Sequence, residues 1–229
     1  EQFMETFELK TEKVEAFSAR AKSFFQTKDS STIDLEEIRE IKSLIRKREA
    51  QSAFRYCGVD DENAFFLDLP FYKTGKAQKN KISSLDIEKT KELLKDVAPH
   101  QIFVAGDKSD PHGTHQTCLE IVKSALAELK EEKEDFINNC WVWQYRGAGV
   151  EWPIGEIEMA VPLSPDEVAK KRTAIFKHES QKDGGVFPGD DAREFWQSAE
   201  DRNRKTAESY NQLGLPEYQA VEAFKRLSY

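Results

Sequence analysis

The sequence predicts an α/β fold in which a mainly parallel sheet is flanked by helices. Short apolar or alternating runs have the length and composition of strands; they are residues 101–105, 140–145 and 156–161. Stretches with apolar side chains at helical spacing lie before, between and after these runs; they are residues 83–97, 116–129 and 164–178. Strands that alternate with helices indicate βαβ units, which place parallel strands side by side.

The first part of the chain is predicted to be helical. Residues 5–26 and 34–57 have helical patterns, and Asp34 is predicted to cap the second of these helices with Glu37 at the reciprocal position. Residues 64–68 form a short strand-like run. A doubly wound domain usually opens with a strand, so the sheet is predicted to lack its first strand. We therefore divide the chain into a helical segment, residues 1–33, and an α/β domain, residues 34–229.

Composition excludes several classes of function. The net charge of −8 argues against nonspecific binding to nucleic acid or to an anionic membrane surface, because both need a positive protein surface. The sequence contains no run of 18 apolar residues and no signal-peptide pattern. Cys57, Cys118 and Cys140 are far apart and form no CxxC pair. Reduced thiols in the cytoplasm are the simplest interpretation.

A histidine-containing loop follows the strand at residues 101–105. It reads Asp110-Pro111-His112-Gly113-Thr114-His115. Ligands bind at the carboxyl ends of strands in open α/β sheets, and imidazole is a common metal ligand and acid–base group. His112 and His115 are therefore candidates for binding a divalent metal and polarising a carbonyl, with Asp107 or Asp110 orienting an imidazole. The alternative is that these side chains only cap the next helix and form Asx turns.

Other candidate residues are scattered along the chain. Arg146 follows a strand and could bind an anionic group, or it could be an ordinary surface arginine. His178 lies at a helix end, where the helix dipole alone favours a histidine. Four tryptophans could stack on a sugar ring or could fill the core; they are Trp141, Trp143, Trp152 and Trp196.

Four stretches together resemble the LmbE-like de-N-acetylase family. Their counterparts in that family are its R-x-E…LG helix, its HPDH motif, its K-R-x-A-I-x-x-H-x-S-Q segment and its C-terminal E-x-F. Here they read Arg48-Glu49-Ala50 with Cys57-Gly58-Val59, Asp110-Pro111-His112-Gly113-Thr114-His115, Lys171-Arg172 through His178-Glu179-Ser180-Gln181, and Glu222-Ala223-Phe224. The resemblance extends from residue 34 to the end. It is strongest to the bacterial subgroup in which such a domain follows a glucosamine-6-phosphate deaminase domain.

The resemblance implies a Rossmann-like fold and a zinc-dependent amidase that removes an acetyl group from an N-acetylated amino sugar, such as N-acetylglucosamine 6-phosphate. His115 matches the family's zinc ligand, and His112 matches the histidine that stabilises the oxyanion or protonates the leaving amine. Thr114 replaces the aspartate of HPDH, and Asp110 is the candidate substitute as a catalytic residue. Arg146 and His178 are the candidates for substrate binding.

One part of the family pattern is absent. The opening A-H-P-D-D motif, which supplies two zinc ligands and the general base, does not occur in this sequence. The chain therefore resembles the C-terminal part of such an enzyme, with zinc and activity expected only when the upstream ligands are present. The alternative is a non-catalytic sugar-phosphate-binding or scaffolding module. In either case the expected partners are an amino sugar and a fused or associated deaminase domain.

Overall fold

The structure is a computed structural model that describes most of the chain. The described ranges are residues 11–29, 32–72, 80–106, 113–147, 150–181, 193–215 and 217–228. The described residues fall into two compact units, with the boundary after Leu44. This boundary reflects contacts within the structure. The domain boundary predicted from the sequence, between residues 33 and 34, stays a prediction.

The first unit contains helix α1 (Thr11–Thr27) and the beginning of helix α2 (Glu36–Cys57). Asp34 lies between the two helices and is only 6% exposed. Its carboxylate accepts hydrogen bonds from Lys28 and Lys42. Burial alone would raise the pKa of Asp34, but the two ammonium groups outweigh burial and lower it. Asp34 was predicted to cap α2, but that helix begins at Glu36 and Asp34 forms ion pairs instead.

The second unit contains the sheet and most of the helices. In chain order, after the rest of α2, its elements are α3 (Ser84–Val97), β1 (Gln101–Ala105), α4 (Thr114–Glu131), β2 (Trp141–Tyr145), β3 (Met159–Leu163), α5 (Pro165–Phe176), α6 (Phe195–Gln212) and β4 (Ala220–Leu227). Short 3₁₀ turns occupy Asp61–Asn63, Asp135–Asn139 and Ile154–Glu156. Helix α5 begins as predicted, because Ser164 and Glu167 exchange the hydrogen bonds of a capping box.

The α/β class is confirmed, but the strand directions differ from the prediction. The strand order is β1-β2-β4-β3, in which β1 and β2 are parallel and β4 is antiparallel to both of its neighbours. A single helix, α4, joins β1 to β2, so this pair is a true βαβ unit. Two helices, rather than one, connect β3 to β4. The β3–β4 connection is therefore not a βαβ unit, and the two strands are antiparallel.

One predicted strand does not form. Residues 64–68 have no ladder, Phe65 is 54% exposed, and Asp68 has a φ of 45°. An apolar segment becomes a strand only when a neighbouring strand binds its backbone groups. Among the described residues, no strand precedes Gln101.

The main core lies between one face of the sheet and helices α3 and α4. Its buried members are Leu94, Val104, Leu119, Ala125, Leu126, Leu129, Ile137 and Val142. This packing fixes β1 and β2 against α4. It therefore also fixes the position of the carboxyl ends of both strands. None of the helices in the described ranges combines the length and the apolar composition of a membrane span.

Candidate functional site

The carboxyl ends of β1 and β2 lie side by side. Ala105 is paired with Tyr145, and the backbone N–H of Gly106 donates to the Tyr145 carbonyl at 2.8 Å. Helix α4, which follows β1, carries His115 in its first turn, while Arg146 directly follows β2. The parallel pair therefore places two of the predicted site residues after neighbouring strand ends, where the sequence analysis expected a ligand site.

Gly106 directly follows β1 and lies in a space too small for a side chain. A Cβ atom there would lie 2.8 Å from Cβ of Gln144 and 3.1 Å from Cζ2 of Trp152. The indole N–H of Trp152 donates to the Gln144 carbonyl at 3.2 Å, which holds the ring in this position. Gly106 thus sets where the chain enters the histidine loop. The sequence analysis missed this role, although a glycine directly after a strand is a recognised signal of close approach.

Arg146 lies against an aromatic ring. Its Cζ is 5.1 Å from the ring centroid of Trp152, and Nζ of Lys225 is 5.4 Å from the same ring. A guanidinium can stack on an aromatic face and also hydrogen-bond through its planar fork, the geometry that suits a carboxylate or phosphate. Trp152, one of the four tryptophans considered, therefore packs beside a predicted site residue.

Arg202 of α6 holds the backbone of Arg146. One terminal nitrogen, Nη1, donates to the Arg146 carbonyl, and Nη2 lies 3.1 Å from Oε1 of Glu222. Nε of Arg202 is 3.4 Å from Oε2 of Glu151. The Arg202 side chain is only 9% exposed, so its charge is compensated by these protein groups more than by water.

The Glu222 carboxylate accepts hydrogen bonds from three side chains. Besides Arg202, its carboxylate is 2.8 Å from Nζ of Lys171 and accepts from Nδ2 of Asn203 at 2.6 Å. Lys171 also donates to Oδ1 of Asn203 at 2.7 Å. We call Glu151, Lys171, Arg202, Asn203 and Glu222 the charged cluster. It joins two of the stretches that carry the family resemblance, those that begin at Lys171 and at Glu222.

Glu151 is the member of the charged cluster with a perturbed acidity. Burial raises the pKa of its carboxyl above the ordinary value of 4.5, while the backbone N–H of Trp152 and the charge of Arg202 act in the opposite direction. The Trp152 N–H donates to Oε1 at 2.9 Å. A carboxyl that holds its proton to higher pH beside a candidate site can donate that proton.

His178 lies just beyond α5, and its backbone N–H donates to the Ile175 carbonyl at 3.0 Å. The residues around it contact α2. Ser180 donates from its backbone N–H and its hydroxyl to the Glu49 carboxylate, each at 2.7 Å, and Nζ of Lys177 lies 5.3 Å from the ring centroid of Tyr56. The stretch that begins at Lys171 thus also contacts the stretch that begins at Arg48. The described contacts of this segment run to α2 rather than to the strand ends.

The predicted metal site is only partly described. His115 is exposed in the first turn of α4, whereas His112, Asp107 and Asp110 lie outside the described residues. Within the described ranges, no group of three or more His, Cys, Asp or Glu side chains could hold a metal ion. A structural or catalytic zinc site needs at least three protein ligands. The described residues therefore do not make a complete zinc site.

No family model matches the chain. One curated protein does: the chain is 50% identical over 206 residues to a glucosamine-6-phosphate deaminase-like protein of Bacteroides thetaiotaomicron. The match covers 90% of this chain and 31% of that protein. The chain thus spans about a third of the length of the curated relative that it matches.

Solved structures share the fold. The 4-carboxy-2-hydroxymuconate hydratase of Pseudomonas putida has a TM-score of 0.58 at 14% identity, covering 93% of this chain and 79% of the hydratase. The N,N'-diacetylchitobiose deacetylase of Pyrococcus horikoshii has a TM-score of 0.51 at 18% identity, covering 88% of this chain and 67% of the deacetylase. The predicted resemblance is confirmed, since the chain has the α/β fold of the LmbE-like deacetylases and is similar in sequence to part of a deaminase-like protein.

Proposed function

We propose that this chain is part of a longer polypeptide that hydrolyses the acetamide of an N-acetylated amino sugar such as N-acetylglucosamine 6-phosphate. The observation that carries the proposal is that the carboxyl ends of β1 and β2 lie side by side. Helix α4 with His115 follows β1, and Arg146 follows β2. The fold shared with a chitobiose deacetylase and the name of the curated relative support the substrate class.

The proposed roles follow the resemblance residue by residue. His112 stabilises the oxyanion or protonates the leaving amine, and Asp110 orients it in place of the carboxylate that Thr114 replaces. Arg146, backed by Trp152, binds the anionic group of the substrate. His178 is the second proposed substrate-binding residue.

The proposed cofactor is zinc, and His115 is the proposed ligand from this chain. The described residues supply no complete donor set, so we propose that the remaining ligands belong to polypeptide that this chain does not include. The isolated chain is then expected to bind zinc weakly and to be inactive, because one or two histidines do not close a tetrahedral site.

Metal analysis of the longer polypeptide tests the ligand assignment. His115→Ala should lose most of its zinc after dialysis against a mild chelator. His100→Ala is the matched control, because His100 is an exposed histidine at the opposite end of β1 and should keep its zinc. Full zinc occupancy in His115→Ala would show that His115 is not a ligand.

Kinetics test the catalytic assignment. His112→Ala should retain zinc and lower kcat and kcat/KM together, by roughly 10²–10³-fold, as expected for the loss of one oxyanion donor. An unchanged rate in His112→Ala excludes the catalytic role.

The second candidate is a non-catalytic module that binds a sugar phosphate. The arginine on the Trp152 ring favours it, because that pair can bind an anion without a metal. Calorimetry with N-acetylglucosamine 6-phosphate separates the two candidates. Binding that Arg146→Met abolishes, with no acetate release by the zinc-loaded longer polypeptide, would favour the module.

A further inference from the structure

Arg146 is held at two points, one on its side chain and one on its backbone. Its guanidinium carbon, Cζ, lies 5.1 Å from the ring centroid of Trp152, and its carbonyl accepts a hydrogen bond from Nη1 of Arg202. The Trp152 ring is itself fixed, because its indole N–H donates to the Gln144 carbonyl at 3.2 Å. Other residues therefore set both the backbone position of Arg146 and the direction of its side chain.

Arg202 is held in turn by two carboxylates. Its Nη2 lies 3.1 Å from Oε1 of Glu222 in β4, and its Nε lies 3.4 Å from Oε2 of Glu151. The other oxygen of Glu151 accepts from the backbone N–H of Trp152 at 2.9 Å. One planar guanidinium thus connects the end of β2, the segment at Trp152 and strand β4. Because the Arg202 side chain is only 9% exposed, it can affect a ligand through the groups that it holds rather than by direct contact.

We propose that Arg202 is a positioning residue that gives the site its preference for a phosphate ester, because it holds Arg146 beside the Trp152 ring. This inference rests on the proposed binding of an anionic group by Arg146, but it does not require amide hydrolysis. A guanidinium binds a phosphate best through two parallel N–H donors, so their direction matters. An arginine that is not held loses rotamer freedom when it binds, which weakens binding. Arg202 and Trp152 restrict Arg146 before a ligand arrives.

One substitution removes the positioning contact without removing the charge. Arg202→Lys keeps a positive charge beside Glu222, but an ammonium group lacks the planar fork that reaches the Arg146 carbonyl and the two carboxylates at once. Arg204→Lys is the matched control. Arg204 lies on the same helix, is 52% exposed and forms ion pairs with two carboxylates of α6 itself.

An NMR titration of the 229-residue chain measures this role, because the Trp152 indole N–H, identified with Trp152→Phe, reports binding beside Arg146. N-acetylglucosamine 6-phosphate is the probe, and N-acetylglucosamine is the neutral comparison. Arg146→Met should raise the Kd of the phosphate ester about 10–100-fold, the range for a lost hydrogen bond to a charged group. Arg202→Lys should raise it about 10-fold and Arg204→Lys less than about 2-fold. All three variants should keep the Kd of the neutral sugar within about 2-fold of wild type.

A double-mutant cycle separates positioning from a general loss of structure. If Arg202 acts through Arg146, Arg202→Lys should change the Kd of the Arg146→Met variant by less than about 2-fold. An equal loss of affinity in both backgrounds would overturn the proposal, and so would an equal loss for the neutral sugar. Phosphate-ester binding that Arg146→Met does not weaken would overturn it as well.

Glu151→Gln tests the same contacts if Arg202→Lys does not fold. Glutamine keeps the shape and an acceptor for the Trp152 N–H, but it removes the charge opposite Nε of Arg202. The Kd of the phosphate ester should rise about 3-fold, and that of the neutral sugar should not change. An unchanged Kd for the phosphate ester would contradict the proposal.

Acetate release by the longer polypeptide is measured separately, so the two proposals can fail independently. Acetate release together with wild-type binding of the phosphate ester by Arg202→Lys would support the amidase and overturn the positioning role. Binding that depends on Arg202 and Arg146, without acetate release, would support the positioning role and contradict the amidase.

Discussion

Replacing Glu222 by glutamine should destabilise the second unit strongly. The Glu222 carboxylate compensates Lys171 and Arg202, and the Arg202 side chain is only 9% exposed. Removing one partner of a fully buried ion pair costs about 3–5 kcal/mol. Glu222 is 21% exposed and glutamine keeps one acceptor oxygen, so we expect about 1.5–3 kcal/mol, the range for a hydrogen bond to a charged group. For a chain of this length, that lowers Tm by about 3–12 °C.

Thermal and urea unfolding followed by circular dichroism measure this loss. Glu156→Gln is the matched control, because Glu156 forms one ion pair with Lys225 and is 46% exposed. An exposed pair of this kind contributes about 0–1 kcal/mol, so the control should change little. If Glu222→Gln is no less stable than Glu156→Gln, the charged cluster does not hold the fold together as we describe.

Three further predictions concern single residues. Gly106→Ala should cost about 1–3 kcal/mol through the clash with Gln144 and, in the longer polypeptide, should also reduce activity; unfolding midpoints and steady-state rates check both effects. Because the pKa of Glu151 is raised, wild type should lose stability relative to Glu151→Gln as pH rises from 4.5 through the raised pKa, as measured by urea unfolding across pH. Because the pKa of Asp34 is lowered, wild type should exceed Asp34→Asn above pH 3.8 and lose that advantage as pH falls through the lowered pKa. A pH-independent difference in either pair would contradict the corresponding assignment.

Local signals in the sequence predicted the elements that depend on local chemistry. The start of α5 follows from Ser164 and Glu167, which lie three residues apart and bond to each other's backbone. The parallel β1–β2 pair follows from the single helix between two short apolar runs. The sequence analysis placed His115 and Arg146 after two predicted strands, and the structure makes those strands neighbours.

Long-range contacts left no such signal. Arg202 and Glu222 are 20 residues apart, and Lys171 and Glu222 are 51 apart. In the sequence, each resembles an ordinary surface charge on a helix or strand. Only the packing of α6 against β4 shows that they lie together with little exposure. Strand β4 itself was not predicted. Its antiparallel direction depends on how two helices pack rather than on the period of any segment.

Two of the solved structures with this fold are enzymes that catalyse different reactions. A hydratase and a deacetylase share the fold, so the fold does not decide which bond changes. Both reactions need a proton, because hydration delivers one to carbon and amide hydrolysis delivers one to the departing nitrogen. A proton donor alone therefore does not choose between them, even though burial raises the pKa of the Glu151 carboxyl and lets it hold a proton to higher pH. The proposed amidase therefore depends on acetate release by the longer polypeptide rather than on the fold, with His112 as the proposed donor to the nitrogen.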